Sequence, residues 1–248
     1  PVYYRRKRDD VLTELPELTE TREWCDLLPE EERVYEQAIL NRQYAFARRV
    51  SWHINDISRS SKAARLKEIV DKAEKEGRKI IVFSFFLDTL HKVVTCLGDK
   101  CMPIINGSVS PQRRQQIVDE FESAPAGSVL VAQIQAGGTG LNIQSASVVI
   151  ICEPQFKPST ENQAISRAYR MGQARNVLVY RLLSDDTIDE KITHLLEDKQ
   201  NIFDAFADKS SLAEHSLELD ATSVNELFRQ EEQRIKLKRG IEDEPLPE

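Results

Sequence analysis

Two patterns of apolar residues alternate along the chain from residue 60 onward. Short, mostly uninterrupted apolar runs predict strands at 80–83, 102–105, 129–132, 148–151 and 177–183. Apolar positions spaced three and four apart predict amphipathic helices between them, at 60–77, 88–97, 110–121, 159–171 and 187–206. Strands that alternate with helices form βαβ units. The pattern therefore predicts an α/β fold with a parallel sheet and helices on both faces.

Residues that favour helix ends support these bounds. Ser60 can cap the first helix and Gly77 can end it, while Ser110 stands before a proline that suits a first helical turn. Near the end of the chain, Ser223 and Glu226 have the spacing of a capping box, which predicts a charged helix over 223–239.

The changes of pattern divide the chain into four regions. We expect a mixed, partly helical segment at 1–57, the alternating α/β region at 58–186 and C-terminal helices at 187–240. The last region, 241–248, is acidic and contains proline, so we expect a disordered tail.

Composition narrows the functional classes. Hydrophobic residues make up 40% of the chain, but no run approaches the ~18 apolar residues of a membrane-spanning helix. The chain begins at Pro1 without a signal sequence, and we expect it to be a piece of a longer protein. A net charge of −7 gives no overall basic field, so any interpretation as a nucleic-acid-binding protein must rest on motifs.

Cysteine and histidine give no support for a metal enzyme. The four cysteines suit a reducing compartment, and Cys96 and Cys101 have no second cysteine pair or nearby histidine to complete a zinc site. The four histidines are scattered and form no HExxH pair, which argues against a zinc hydrolase.

A glycine-rich loop, residues 135–142, follows the predicted strand at 129–132. It is not a phosphate-binding P-loop, because GxxxxGK[ST] occurs nowhere in the chain. It is not a dinucleotide fingerprint either, because Ile143 replaces the third glycine and the next predicted element is a strand. Two interpretations remain open: a simple turn, or a backbone that must approach a ligand or another domain closely.

The sequence QAISRAYRMGQ, residues 163–173, contains a cluster of candidate functional residues. Arg167 and Arg170 are three apart, which predicts one shared helix face, with Gln163 one turn earlier and Gln173 just past the helix end. The arginines could belong to a solvated face. Their guanidinium groups are also suited to the oxyanions of phosphoryl transfer.

Several motifs, in order, resemble the second motor lobe of Swi/Snf-type, superfamily-two helicase-related ATPases. AGGTGLN (136–142), QAISRAYRMGQ (163–173) and VYRLL (179–183) carry the resemblance. Three further stretches agree with it: 60–86 with the opening helix and strand, 106–121 with a turn and helix that touch DNA, and 3–20 with the segment that joins the two lobes. The resemblance covers about residues 3–206.

This resemblance implies a three-layer RecA-like lobe, preceded by an interlobe linker at 1–57 and followed by brace helices at 187–240. By family position, Arg167 and Arg170 are arginine fingers, Gly138 and Gly140 approach the nucleotide, and Gln163 and Gln173 orient the fingers and sense the nucleotide. The residues implied in contacts with the backbone of duplex DNA are Ser84, Asn106, Gly107, Ser108, and Arg113 or Arg114.

Two departures and one absence qualify the resemblance. Gln133 and Ile134 replace the usual Ser-Thr, and Glu153 with Phe156-Lys157-Pro158 replaces the usual Asp and Trp-Asn-Pro. These changes resemble the variant of bacterial members. The chain has no Walker lysine and no DExH-type acid, so ATP and Mg²⁺ would be bound mainly by a first lobe of the same polypeptide, and this chain alone would not turn over ATP.

Three classes of function follow. The first is one lobe of an ATP-driven translocase or remodeller of duplex DNA, with a DNA-bound protein complex as a possible substrate and no membrane partner. It would work in a bacterial cytoplasm, beside the nucleoid, or alternatively in a nucleus. The second, a Rossmann-type small-molecule enzyme, lacks its fingerprint. The third is an interaction module whose helices at 187–206 and 223–239 dock a protein partner.

Overall fold

The computed structural model describes residues 16–137, 143–170, 173–206 and 218–241. Its centre is a five-stranded sheet in the order β1-β5-β4-β2-β3, and every pair of neighbouring strands is parallel. The strands are β1 (Leu18–Cys25), β2 (Lys79–Ser84), β3 (Val129–Gln133), β4 (Ala146–Ile151) and β5 (Val177–Ser184).

Helices surround this sheet. They are α1 (Pro29–Leu40), α2 (Tyr44–Ala47), α3 (Ser61–Lys75), α4 (Leu87–Leu97), α5 (Pro111–Ser123), α6 (Ile134–Gly137), α7 (Pro158–Ala168), α8 (Ile188–Phe206) and α9 (Ala221–Arg239). The predicted α/β fold with a parallel sheet is confirmed. So are the predicted caps of α3 and α5, where Ser60 and Ser110 accept hydrogen bonds from Ala63 N and Arg113 N.

The two faces of the sheet bury different sets of side chains, which makes the fold three-layered. Ile80 and Val82 of β2 pack with α3 and α4 in one core, while Ile81 and Phe83 pack with α5 and α7 in another. Successive side chains of a strand point to opposite faces, so a strand buried on both sides must be apolar at every position. The uninterrupted apolar runs in the sequence have this cause.

The structure corrects the sequence prediction in the sheet. β1 was not predicted and joins the sheet edge beside β5, so part of the predicted linker region is a strand. The predicted strand at 102–105 is not one: only Cys101 and Ile105 form isolated bridges to β3. Met102 N donates to Val129 O and Ile105 N donates to Val131 O, so three residue steps on this segment match two on β3, and the extra residue interrupts the pairing.

Two helix ends also differ from the prediction. α7 ends at Ala168 rather than near residue 171, so Arg170 lies beyond the helix. The cap of α9 is Asp220, whose side chain accepts a hydrogen bond from Ser223 N at 2.7 Å, rather than the predicted capping box of Ser223.

A separate helical core forms beside the sheet from α1, α2, α8 and α9. Tyr35 of α1 is central to it: its hydroxyl donates to Glu231 Oε1 at 2.8 Å and accepts from Ile188 N at 2.7 Å. Glu231 is fully buried and also pairs with Arg234 and Lys191. These contacts join α9 to both α1 and α8, so the last two helices are part of the folded body.

Candidate functional site

Polar residues meet at the carboxyl ends of β2, β3 and β4. Ser84 Oγ donates to Glu153 Oε2 at 2.8 Å, Phe85 N donates to Glu153 Oε1 at 2.6 Å, and Gln133 Nε2 donates to Phe85 O at 3.0 Å. Burial raises the pKa of Glu153, and the hydrogen bonds from Phe85 and Ser84 oppose that rise. Ser84 is fully buried, so it has no surface to offer a phosphate. Ile134, at the second position of the usual Ser-Thr pair, is also buried in the core.

The loop that joins Ile105 to α5 holds most of the other predicted phosphate contacts. Asn106 Oδ1 accepts from Ser108 N at 2.9 Å and from Ser108 Oγ at 2.7 Å, which closes a tight turn. Arg114 reaches back from α5 and donates to Val109 O at 2.8 Å and to Asn106 O at 3.0 Å. Asn106 and Arg114 therefore hold the loop in shape.

The outer surface of this loop is exposed. Gly107 and Ser108 are exposed, and a side chain built at Gly107 would meet open space. Arg113 is also exposed and contacts Glu120 at 3.0 Å. The N-terminus of the thirteen-residue helix α5 opens next to them, and the partial positive charge of such an end favours an anion.

The arginine cluster lies at the other end of the sheet. α7 begins after the carboxyl end of β4 and runs back, so that Gln173 Nε2 reaches Ala146 O, at the start of β4, at 2.8 Å. Gln163 is exposed, Arg167 is half-buried on the last turn of α7, and Arg170 is exposed just beyond it. The structure thus places both arginines at the end of α7, away from Ser84 and from the Asn106 loop, but Arg170 lies beyond the helix and does not continue the helical face of Arg167.

The end of α7 is fixed by groups distant in sequence. The carbonyl of Arg167 accepts from Ile143 N at 3.1 Å, and that of Ala168 accepts from Gln173 Nε2 at 3.1 Å. These donors take the place of the next helical turn, since the last carbonyls of a helix lack internal partners. Gln173 is buried and also donates to Gln144 O at 2.8 Å, so its amide holds the segment that carries both arginines.

Gly138 and Gly140 lie outside the described residues. Ile143, the first described residue after them, contacts α7 through the hydrogen bond from its N–H to Arg167 O. Among the described residues, no three His, Cys, Asp or Glu side chains are grouped to hold a metal ion. None of the described helices combines the length and the apolar character needed to cross a membrane.

Sequence reasoning missed Arg181 and its partners. Arg181 of β5 pairs with Glu161 of α7 and with Glu20 of β1. A charged residue in the middle of an otherwise apolar predicted strand was the available signal, because such a residue needs a partner when the strand is covered.

Comparison with known proteins agrees with this geometry. Residues 61–172 match the family model of the helicase conserved C-terminal domain. An uncharacterized ATP-dependent helicase of Mycoplasma pneumoniae is 30% identical over 225 residues, covering 82% of this chain and 22% of the relative. The chain spans about a fifth of the length of the curated relatives it matches.

Solved structures show the same fold. The C-terminal part of the Fun30 ATPase domain has a TM-score of 0.70 at 19% identity, covering 90% of this chain and 99% of that one. The Sulfolobus solfataricus SWI2/SNF2 ATPase core in complex with dsDNA has a TM-score of 0.64 at 27% identity, covering 90% of this chain and 53% of that one.

The three-layer parallel sheet and the matched domain define a RecA-like lobe of the helicase-related ATPases. Within that class, this chain belongs to the SWI2/SNF2 family and corresponds to the C-terminal lobe of its ATPase core. The resemblance seen in the sequence motifs is confirmed.

Proposed function

We propose that this chain is the second motor lobe of an ATP-driven translocase or remodeller of duplex DNA. The observation that carries the proposal is that Arg167 and Arg170 lie at the end of α7, where the carbonyls of this segment accept hydrogen bonds from Ile143 N, from Gln173 N and from the Gln173 side-chain amide. An exposed arginine on a rigid base can enter the active site of a neighbouring lobe without a large loss of side-chain freedom.

In this proposal a first lobe holds ATP and Mg²⁺, and the metal-bound nucleotide supplies the phosphoryl group. The guanidinium groups of Arg167 and Arg170 stabilise the charge on its oxygens, an effect worth about 10³–10⁵ in turnover for arginine fingers. Gln163 and the glycines Gly138 and Gly140 would lie near the nucleotide. Gln173 acts by orienting the arginines, because its side-chain amide is already used by three carbonyl oxygens.

We also propose that the Asn106 loop contacts the DNA backbone. Gly107, Ser108 and Arg113 supply its exposed surface, and the N-terminus of α5 adds a partial positive charge. Asn106 and Arg114 maintain the loop, and Ser84 is omitted because it is buried. Backbone contacts of this kind position a protein without reading sequence, which suits movement along a duplex.

ATP hydrolysis by the whole polypeptide, with and without duplex DNA, tests the finger assignment. We expect DNA-stimulated turnover to fall at least about 10³-fold in Arg170→Ala and in Arg167→Ala, with ATP binding largely retained. Arg229→Ala is the matched control, because Arg229 is exposed on α9 and pairs with Glu226. Unchanged turnover in both finger variants would contradict the proposal.

Two further measurements test the remaining parts. The chain expressed alone should show no steady ATP turnover, and turnover by it would contradict the assignment of nucleotide binding to a first lobe. Arg113→Ala should weaken binding to duplexes of any sequence. It should also reduce the slope of the logarithm of the binding constant against the logarithm of the salt concentration by about 1, the value for one lost phosphate contact. A sequence-dependent loss would argue against a backbone contact.

The interaction-module hypothesis has weaker support. Tyr35, Ile188, Phe228 and Ile235 belong to one core, so α8 and α9 bury apolar side chains within the chain. Partner binding that survives the loss of both arginines would favour this hypothesis. For the compartment, we propose a bacterial cytoplasm, with a nucleus as the alternative.

A further inference from the structure

Arg181 connects three elements of the lobe. Its Nε donates to Glu161 Oε2 at 2.6 Å and its Nη1 lies 2.7 Å from Glu20 Oε2. Glu161 is in the first turn of α7 and Glu20 is in β1, so one guanidinium on β5 is shared by a helix and a strand that lie on either side of it.

Glu161 fixes the start of α7 in a second way. Its Oε1 accepts from Gln155 N at 3.0 Å, so the carboxylate is anchored both to β5 and to the loop that leads into its own helix. Glu161 precedes Arg167 by six residues, or roughly 9 Å along a helix. A tilt or shift of the first turn therefore moves the arginine on the last turn.

Glu20 lies at the opposite end of this chain of contacts. It belongs to β1, whose first residues, 18–20, are also the end of the segment 3–20 that resembles the joint between two motor lobes. β1 runs parallel to β5 in register, with Arg22 opposite Arg181. A pull or rotation of that segment reaches β1 first.

We infer that Glu20, Arg181 and Glu161 form a relay through which β1, the strand that begins at the end of the interlobe segment, sets the position of the helix that carries Arg167. This inference rests on the proposed function of the lobe. The three members are positioning residues: they act through α7. Arginine suits the centre because its rigid planar fork directs Nε to one carboxylate and Nη1 to the other, whereas a lysine offers one point charge on a flexible stem.

The test is single-turnover ATP hydrolysis by the whole polypeptide with saturating duplex DNA. Glu20→Gln is the lead variant, since the side chain is 44% exposed and the loss of an exposed ion pair should cost little stability. We expect its hydrolysis rate to fall about tenfold with KM for ATP within about twofold, because misplacing a catalytic group by about 1 Å can cost up to 10²-fold. The hydrolysis rate should be lower in Arg181→Gln than in Arg181→Lys, because lysine keeps one of the two ion pairs.

Glu23→Gln is the matched control. It makes the same change on the same strand, but Glu23 accepts hydrogen bonds from Arg65 of α3, at 2.9 and 2.7 Å, and not from the α7 side. We expect its hydrolysis rate to equal that of the wild type. A loss equal to that of Glu20→Gln would overturn the relay, since any charge removed from β1 would then suffice.

A double-variant cycle with Arg167→Ala separates the two proposals. If the relay acts by placing Arg167, Glu20→Gln should have no further effect on the rate once that side chain is removed. The same proportional loss with and without Arg167 would overturn the relay. If Arg167→Ala abolishes ATP hydrolysis but Glu20→Gln leaves the hydrolysis rate unchanged, the relay alone is refuted. If Arg167→Ala hydrolyses ATP at the wild-type rate, both the finger role and the relay are refuted.

Discussion

The buried ion pair of Lys62 and Asp189 allows a quantitative prediction of stability. Lys62 Nζ donates to Asp189 Oδ2 at 2.7 Å and to Cys152 O at 3.2 Å, and the two side chains are 1% and 2% exposed. Lys62→Met keeps an unbranched apolar stem but leaves a buried carboxylate that accepts only from Ser184 N among the hydrogen bonds described. The pair joins α3 to the start of α8, so its loss loosens the sheet from the helical core.

Breaking one partner of a buried pair costs about 3–5 kcal/mol, because the remaining charge has lost its compensation. For a chain of this length, each kcal/mol lowers Tm by about 2–4 °C. We therefore expect Lys62→Met to lower the free energy of unfolding by about 3–5 kcal/mol and Tm by roughly 6–20 °C. Urea unfolding and thermal melting followed by circular dichroism measure the two quantities.

Lys100→Met is the control, because it makes the same substitution at the surface. Lys100 contacts Asp71 and Glu74 at 3.1 and 2.7 Å and is 34% exposed, so its loss should cost about 0–1 kcal/mol. Adding Asp189→Asn to Lys62→Met removes the stranded charge and should restore part of the stability. The reasoning is refuted if Lys62→Met lowers the free energy of unfolding by no more than Lys100→Met does. It is also refuted if the loss in the double variant equals the sum of the losses in Lys62→Met and Asp189→Asn.

Three other predictions concern single contacts. Burial opposes the ionisation of Glu231, but the hydrogen bonds to its carboxylate outweigh burial and lower its pKa below the ordinary value of 4.5. The ionised carboxylate therefore stabilises the fold at pH values above 4.5. This stabilisation is lost as the pH falls through the lowered pKa. Glu231→Gln should cost about 1–3 kcal/mol at pH 7 and progressively less in urea titrations at lower pH; a constant loss would contradict this. Gln173→Glu should cost about 2–4 kcal/mol by thermal melting, because a carboxylate would face three carbonyl oxygens, and an unchanged Tm would show that the amide contacts are dispensable. Asp220→Ala should lower Tm because a helix cap is lost, and Ser223→Ala should leave Tm unchanged; in thermal melting, the reverse order would reinstate Ser223 as the cap.

The sequence predicted the interior of the sheet better than its edges. β2 and β4 could be recognised because burial on both faces requires apolar residues throughout, and the pattern is local. β1 could not, since only Cys25 of its eight residues is buried and its identity as a strand depends on pairing with β5, more than 150 residues later. The expected strand at 102–105 failed for the opposite reason: its residues are partly apolar, but one extra residue between the bonded Met102 and Ile105 breaks the register with β3.

The same distinction between local and distant contacts explains the outcome at the candidate site. Motif spacing placed Arg113 and Arg114 on the first turn of α5, but the carbonyls of the preceding loop decide that Arg114 turns inward and Arg113 stays exposed. Spacing of three would put Arg170 on the face of Arg167 only if the helix continued. The helix stops because Ile143 N and the Gln173 amide take its last carbonyls, and these donors come from the far side of the glycine loop and from beyond the helix. The position of Arg170 therefore depends on contacts that no local spacing reveals.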